Sequence, residues 1–196
     1  MKILVVSDYE SPSLWDYFSK EKVRDVDLII SCGDLKAVYL EFLVTMVNKP
    51  LLYVRGNHDE HYHIQAPEGC DCIEDTLIEY HGIRIGGLGG SMRYRDGTDQ
   101  YTEKEMQKRV RKLKKKIRKA GGIDILVTHA PVYGYGDMED LPHRGFCAFE
   151  DIIQTYHPRY LLYGHVHQTY GHFLRMIEYD AHTSLINGYE YCFIEI

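Results

Sequence analysis

The sequence lacks the features that mark disulfide-rich, zinc-finger or membrane proteins. Its five cysteines (Cys32, Cys70, Cys72, Cys147 and Cys192) are an odd number and form no CxxC pair, which favours reduced thiols in a cytosolic protein. Its aliphatic runs reach only four or five residues, as in Ile3–Val6. A membrane-spanning helix needs roughly 20 apolar residues, and this first run also ends too early for a signal peptide. We therefore expect a cytoplasmic protein that does not associate with membranes.

The chain also lacks an excess of positive charge. It has 23 Lys and Arg against 29 Asp and Glu, a formal charge of −6, which is unusual for a general nucleic-acid-binding protein. One segment is different: residues 104–119 hold ten Lys or Arg and a single acid, Glu105, for a local charge of +9. Removing +9 from the total leaves −15 on the rest of the chain.

This basic segment has helical periodicity. Met106, Val110, Leu113 and Ile117 recur at helical spacing, so one stripe can pack on the protein body. The segment is either an amphipathic helix with a solvated face or a docking surface for RNA, DNA or an acidic partner.

Short apolar runs, each followed within a few residues by a potential metal ligand, are the main pattern of the chain. These pairs are Ile3–Val6 with Asp8 and Glu10, 28–30 with Asp34, 51–54 with Asn57, His58 and Asp59, 125–127 with His129, and 161–163 with His165 and His167. Short apolar runs of this kind predict buried strands. In open α/β sheets the ligand site lies outside the carboxyl ends of the strands, where each of these polar groups would stand.

The remaining segments predict an α/β fold. Helices are predicted at 12–20, 35–47 and 147–157, a hairpin at 76–87, and antiparallel strands at 170–179, 182–187 and 191–196. The chain of 196 residues, 44% of them hydrophobic, is long enough for one core. We expect two packed mixed β-sheets flanked by helices in a single domain over 1–196, with the basic helix inserted at about 102–120.

The candidate ligands are oxygen and imidazole donors: Asp8, Glu10, Asp34, Asn57, His129, His165 and His167. Taken singly, each has an ordinary structural explanation, such as a helix N-cap for Asp34 or a turn for Asn57. Together they are too many for one tetrahedral ion, and they fit two ions that share a bridging carboxylate. Donors of this type suit Mn, Fe or Zn outside a thiolate site.

At this point the ordered blocks resemble those of the calcineurin-like metallophosphoesterases. The blocks are Asp8-Tyr9-Glu10, Gly33-Asp34, Gly56-Asn57-His58-Asp59, Thr128-His129-Ala130-Pro131 and Gly164-His165-Val166-His167. The resemblance implies a four-layer α/β/β/α fold and a dinuclear centre. One ion would be held by Asp8, residue 10, Asp34 and His167, and the other by Asp34, Asn57, His129 and His165.

One block departs from the family pattern, because Glu10 stands where the family normally has histidine. Either Glu10 is a harder, charged ligand that shifts the first site toward Mn or Mg, or it points elsewhere and that site is weak. We expect two divalent ions, with Mn favoured and Fe, Zn, Mg and Ni as alternatives.

The mechanism that follows from these parts is metal-assisted hydrolysis of a phosphate ester. A hydroxide that bridges the ions would attack phosphorus in line, and His58 would protonate the leaving oxygen. Asp59 would either orient His58 or brace the loop.

Possible substrate contacts are Arg55, Arg93, Arg95, His143 and Arg144, which lie beside the motifs or on loops that could rim the site. The expected substrate is a phosphodiester or phosphomonoester, with a nucleotide among the candidates. Two alternatives stay open: a scaffold subunit on the same fold that has lost catalysis, and a nucleic-acid-processing phosphodiesterase that uses the basic helix.

Overall fold

A computed structural model describes residues 1–171 and 173–196. The strands of these residues are, in chain order, β1 (Lys2–Ser7), β2 (Leu28–Ser31), β3 (Leu51–Tyr53), β4 (Asp71–Cys72), β5 (Leu77–Tyr80), β6 (Ile83–Leu88), β7 (Ser91–Met92), β8 (Gln100–Tyr101), β9 (Ile125–Thr128), β10 (Tyr160–Tyr163), β11 (Met176–Glu178), β12 (Ser184–Asn187) and β13 (Glu190–Glu195). The α-helices are α1 (Lys20–Val23), α2 (Ala37–Val47), α3 (Glu103–Lys119) and α4 (Glu150–Tyr156), and 3-10 turns cover Glu60–His63, Cys147–Phe149 and Gln168–Tyr170. No helix in the described ranges has the length and apolar character needed to cross a membrane.

The strands form two mixed sheets and a short ribbon of β7 and β8. The first sheet has the order β13-β1-β2-β3-β4, in which β1 to β4 are parallel and β13 pairs antiparallel with β1. The second has the order β11-β12-β10-β9-β6-β5, with parallel central strands and antiparallel edges. The carboxyl ends of the parallel strands in each sheet therefore lie at one edge.

The two sheets pack face to face, and helices cover both outer faces. Ile3 and Val5 of β1 point into the layer between the sheets, where they join Val127 of β9. The alternate residues Leu4 and Val6 point outward, into the layer that α2 covers. Helices α3 and α4 cover the outer face of the second sheet. Burial on both faces explains why the strands are continuous apolar runs, and the predicted four-layer α/β/β/α fold is confirmed.

Most predicted elements are present, and one helix is wrong. Helix 35–47 is α2, segment 147–157 is a 3-10 turn that continues into α4, and the 76–87 hairpin is β5–β6. The helix predicted at 12–20 is replaced by consecutive turns, in which the Tyr17 N–H donates to the Pro12 carbonyl at 2.8 Å. Helix α1 begins only at Lys20.

The pairing predicted for the carboxyl-terminal strands is correct only in part. Strand β13 is antiparallel to β1, and β11 is antiparallel to β12, but β12 runs parallel to β10. Strand β11 carries the chain back along the sheet, so β12 starts again at the amino end of β10. The segment predicted as strand 170–179 contains β11, and its position 172 lies outside the described residues.

The basic helix is present as α3, and its amino end is well capped. Thr102 accepts a hydrogen bond from the Glu105 N–H, and Glu105 accepts one from the Thr102 N–H, which together form a capping box. Met106, Val110, Leu113 and Ile117 are buried against the second sheet, as the periodicity predicts.

One cation of α3 points into the protein instead of into solvent. The Arg109 side chain is only 10% exposed and pairs with Glu74 and with Asp75 Oδ1, the latter at 2.8 Å. Its guanidinium also donates to the Gly89 carbonyl at 2.7 Å and lies 4.3 Å from the centre of the Tyr101 ring. Sequence periodicity alone does not distinguish this buried arginine from its solvated neighbours.

We expect Arg109→Met to lower the free energy of unfolding by about 3–5 kcal/mol, because it leaves the Glu74 carboxylate buried without a cation. Arg111→Met, an exposed position on the same helix, is the matched control and should change stability by no more than about 0.5 kcal/mol. Urea denaturation followed by circular dichroism measures both. Equal stability of the two variants would show that the buried pair contributes little.

Candidate metal centre

The candidate ligands follow the parallel strands of both sheets and meet where the sheets pack together. Asp8 follows β1, Asp34 follows β2 and Asn57 follows β3, while His129 follows β9 and both His165 and His167 follow β10. His165 and His167 lie in the loop that follows β10 and not on the strand itself. The alternation of side chains along a strand therefore does not put them on the same side of the sheet. Their side chains in fact reach different partners.

Asp34, His129 and His165 form the tightest cluster, with one ligand atom of each within 4.8 Å of the others. His129 Nε2 lies 3.3 Å from Asp34 Oδ2 and 3.1 Å from Asn57 Oδ1. The His129 side chain is fully buried and Asn57 is nearly so. Two sheets therefore contribute to one enclosed group of donors.

Hydrogen bonds to backbone carbonyls determine the tautomers of the two histidines. His129 Nδ1 lies 2.8 Å from the Cys32 carbonyl and His165 Nε2 lies 2.7 Å from the Pro142 carbonyl. Because a carbonyl can only accept, each of these nitrogens carries a proton, and in the neutral ring the other nitrogen has a lone pair. Those two nitrogens, His129 Nε2 and His165 Nδ1, face each other at 3.1 Å. Two lone pairs this close require a proton or a metal ion near them.

The charges of the cluster agree with this requirement. Burial disfavours a charged His129, but the Asp34 carboxylate outweighs burial and raises the pKa of His129 well above its ordinary value. Burial, reinforced by the charge on His129, lowers the pKa of His165. Without a bound ion, His129 therefore carries a second proton on Nε2, which balances the Asp34 carboxylate, and a bound cation would replace that proton.

Asp8 and His167 form a second group beside the first. Asp8 Oδ2 accepts a hydrogen bond from the His165 N–H at 2.8 Å. Asp8 Oδ1 is buried and accepts no hydrogen bond from the described residues, although His167 Nε2 lies 3.4 Å away. A buried carboxylate oxygen without a donor is costly unless a cation neutralises it, so this atom also fits a metal ligand.

Glu10 lies at the same cleft but its carboxylate contacts a lysine. Its Oε1 accepts from the Lys36 N–H at 3.3 Å, and its Oε2 lies 3.4 Å from Lys36 Nζ. The lysine side chain is 74% exposed, so this ion pair is weak and easily exchanged. Glu10 and Lys36 line a cleft of about 460 Å³ together with Asp8, Asp34 and His58.

The backbone at the cluster is strained. Asp8, Asp34 and His165 have φ angles of 63°, 56° and 69°, in the left-handed region that non-glycine residues rarely adopt. Strain of this kind concentrates at functional sites. Gly56 makes room for the cluster, because a Cβ at this position would lie 2.0 Å from Asp34 Oδ1.

His58 and Asp59 occupy different environments although they are adjacent. The His58 N–H donates to Asp34 Oδ1 at 2.8 Å, and the exposed side chain lines the cleft. Asp59 is buried, and its Oδ2 accepts the N–H groups of Asp34 and Gly56 at 2.7 and 2.8 Å. Burial and the Asp34 carboxylate raise the pKa of Asp59. Asp59 thus holds together the two loops that carry Asp34 and Asn57.

The candidate substrate contacts differ in their distance from the cluster. The ring of His143 lies 5.2 Å from that of His165. The Arg55 guanidinium pairs with Asp99 at 3.2 Å, and Arg93 pairs with Glu105 at 3.0 Å. Arg144 donates to the Glu139 carbonyl at 3.1 Å, on the 131–146 loop. Arg95 Nη2 lies 4.0 Å from Glu60 Oε1. Only His143 of these five is brought against the cluster of candidate ligands in the described part of the chain.

The structure also brings in residues that the sequence reasoning missed. Lys36 is one of these, since a single lysine after Asp34 carries no sequence signal of function. The ring of His167 lies between those of Tyr170 and Tyr189, at 4.7 and 4.9 Å. With 17 tyrosines in the chain, these two could not be distinguished from the rest by sequence.

We expect the cluster to bind Mn²⁺, and His129→Ala or Asn57→Ala to weaken that binding more than the 10–100-fold typical of supporting residues. His182→Ala, an exposed histidine outside the cluster, is the matched control and should bind as the unmodified protein does. Isothermal titration calorimetry with MnCl₂ measures affinity and stoichiometry. Unchanged values for both cluster variants would exclude these residues as ligands. The Asn57 variant keeps the buried imidazole of His129, so weaker binding in that variant cannot be explained by misfolding after loss of the imidazole.

Comparisons with known proteins show the family and the fold of the chain. Residues 1–169 match the calcineurin-like phosphoesterase family. A UPF0046 protein of Caenorhabditis elegans is 30% identical over 117 residues, 59% of this chain and 27% of that protein. A probable metallophosphoesterase of Methanothermobacter thermautotrophicus is 33% identical over 104 residues, 51% of this chain and 56% of that protein. The matches therefore span about a quarter and about half of these relatives.

A solved structure shares the fold. The crystal structure of TT1561 of Thermus thermophilus matches with a TM-score of 0.67 over 96% of this chain and 89% of that one. At 15% sequence identity the likeness shows the fold alone. Sequence blocks, family match and four-layer fold agree, and the chain belongs to the calcineurin-like phosphoesterase family.

Proposed function

We propose that this chain is a metal-dependent hydrolase of phosphate esters that works with two divalent ions. The observation that carries the proposal is the approach of two ring nitrogens, His129 Nε2 and His165 Nδ1, which face each other at 3.1 Å beside Asp34. Such an arrangement needs either a proton or a metal ion between the two nitrogens. It stands beside an open cleft of about 460 Å³ that could admit a phosphate ester.

The residues that would hold the ions form two overlapping sets. The first ion would be held by Asp8, Glu10, Asp34 and His167, and the second by Asp34, Asn57, His129 and His165. When bound, such ions supply Lewis acidity, which activates water and stabilises charge on the phosphoryl oxygens. The mixture of carboxylate, amide and imidazole donors favours Mn, with Fe, Zn, Mg and Ni as alternatives.

His58 is the residue placed to move a proton. Its N–H bond to Asp34 Oδ1 fixes its backbone next to the cluster, while its ring is in the cleft and accessible to water. A protonated imidazole there would donate to the leaving oxygen of the ester. This assistance matters most for an alkoxide leaving group, and we therefore propose a phosphodiester, such as a nucleotide diester, ahead of a monoester.

Lys36 and His143 are proposed to contact the substrate from different sides. Lys36 Nζ lines the cleft and is held only by its weak pair with Glu10. His143 contacts the ring of His165, and its Nδ1 donates a hydrogen bond to Asp140 Oδ2 at 2.7 Å. Both side chains can carry positive charge, which suits phosphoryl oxygens.

The direct test is hydrolysis of bis-p-nitrophenyl phosphate and p-nitrophenyl phosphate with Mn²⁺, Mg²⁺ and Zn²⁺ in turn. We expect turnover that depends on the added metal and is faster for the diester. A protein that binds two ions but hydrolyses neither ester would instead support the scaffold alternative.

His58→Ala should lower kcat by roughly 10²–10⁴-fold and leave metal stoichiometry unchanged, because His58 transfers a proton and is not a proposed ligand. The loss should be larger for a dinucleotide, whose leaving group is an alkoxide, than for bis-p-nitrophenyl phosphate, whose leaving group is already stable as an anion. His81→Ala, on the exposed β5–β6 turn, is the control. A loss below about threefold on the dinucleotide would remove His58 from the mechanism.

Glu10→Ala should reduce the number of bound Mn²⁺ ions or weaken one of them, because Glu10 stands at the position of a first-site ligand. Lys36→Ala should keep both ions, since it only frees the Glu10 carboxylate from its ion pair. Metal analysis after gel filtration distinguishes these results. Identical stoichiometry and affinity in Glu10→Ala would show that this carboxylate is not a ligand.

A further inference from the structure

Helix α3 presents a continuous face of positive charge that the metal centre does not use. Seven exposed residues form this cationic face: Lys104, Lys108, Arg111, Lys112, Lys115, Arg118 and Lys119. At about 100° per residue they fall within an arc of about 120°, and no residue of another type shares that arc. The face extends over about 22 Å at a rise of about 1.5 Å per residue.

The other three cations of the helix already have partners in the protein. Arg109 is buried with Glu74, Lys114 Nζ lies 2.6 Å from Asp151 Oδ1, and Lys116 Nζ donates to the Asp75 carbonyl at 2.8 Å. By contrast, none of the seven residues of the cationic face forms a salt bridge with any acid in the described residues. The structure therefore separates cations that hold the helix to the body from cations that point away from it.

The arrangement of the cationic face is unfavourable for the helix by itself. Lys104, Lys108 and Lys112 are spaced four residues apart, and so are Arg111 and Lys115, which places like charges side by side. A surface that serves only solubility normally mixes both signs. An external anion with repeated charges would relieve this repulsion.

We propose that the cationic face is a docking surface for the phosphate backbone of a nucleic acid. The charge pattern is repeated along a line, as phosphates are, and its contact would be independent of base sequence. The proposal does not depend on hydrolysis at the metal centre, because the seven side chains lie outside the cluster of proposed ligands.

Two other anionic partners fit the surface less well. Helices that bind membranes insert an apolar face, but the apolar residues of α3 (Met106, Val110, Leu113 and Ile117) are already buried against the sheet. Stable protein interfaces need apolar or aromatic anchors at their centre, and the arc of the cationic face contains none. A polyanion held by charge alone is the partner that this surface suits.

The test is fluorescence anisotropy of a labelled single-stranded DNA of about 20 nucleotides, measured over a range of KCl concentrations. If five to seven phosphates are contacted, a plot of log Kd against the logarithm of the KCl concentration should have a positive slope of roughly 3.5 to 5. The triple variant Lys108→Glu, Lys112→Glu, Lys115→Glu should bind at least about tenfold more weakly at low salt and lower the slope by about 2.

The matched control carries the same change of net charge elsewhere. Lys20→Glu, Arg24→Glu and Lys49→Glu together should alter affinity by no more than about threefold, because these residues are not on α3. Circular dichroism and hydrolysis of p-nitrophenyl esters should be unchanged in both triple variants.

Several outcomes would overturn the proposal. The first is that the unmodified protein does not bind the DNA at low salt. The second is that both triple variants lose affinity equally. The third is that polyglutamate displaces the labelled DNA as effectively as unlabelled DNA does. Tighter binding to phosphatidylserine vesicles than to the oligonucleotide, also lost in the α3 variant, would assign the surface to membranes instead.

Discussion

The hydrogen bond from His129 Nδ1 to the Cys32 carbonyl is the interaction on which the site depends. It joins a residue that follows β9 in the second sheet to a loop that follows β2 in the first, across 97 positions of sequence. It also fixes the tautomer of His129 and turns Nε2 toward Asp34, Asn57 and His165. The buried layer between the sheets supports this bond, because it holds the two strand ends at a constant separation. A small shift of one sheet against the other would separate the donors.

The same packing of the two sheets holds the backbone of the site in strained conformations. Asp8, Asp34 and His165 all have left-handed φ angles, and conformations of this kind cost of order 1–3 kcal/mol each. The loops are held by side chains that accept backbone N–H groups: Asp59 for Asp34 and Gly56, and Asp8 for His165. These carboxylates hold the proposed ligands in position and so link local strain to a proposed function.

The charge network extends this support from the candidate metal centre to α3. Glu74 accepts the Arg55 N–H at 2.9 Å with one carboxylate oxygen and pairs with Arg109 through the other. The first contact holds the chain just before Gly56 and Asn57, and the second holds the helix to the sheet. One buried acid therefore connects the loop of the site to the helix with the cationic face. The net charge of −6 conceals this division between a basic helix and an acidic body.

The sequence by itself determined the parts that depend on local pattern. Apolar runs buried on both faces predicted the strands, helical spacing predicted α2 and α3, and the ordered blocks predicted the fold. Periodicity failed at 12–20, where consecutive turns replace a helix, and at β12, whose direction depends on how β11 returns the chain. Only the tertiary structure decided which residues of the same type have different roles. It buried Arg109 while it left Arg111 in solvent, set Lys36 against Glu10, and placed the His167 ring between Tyr170 and Tyr189. These distinctions arise from contacts between residues far apart in sequence, which the residue type and its spacing do not specify.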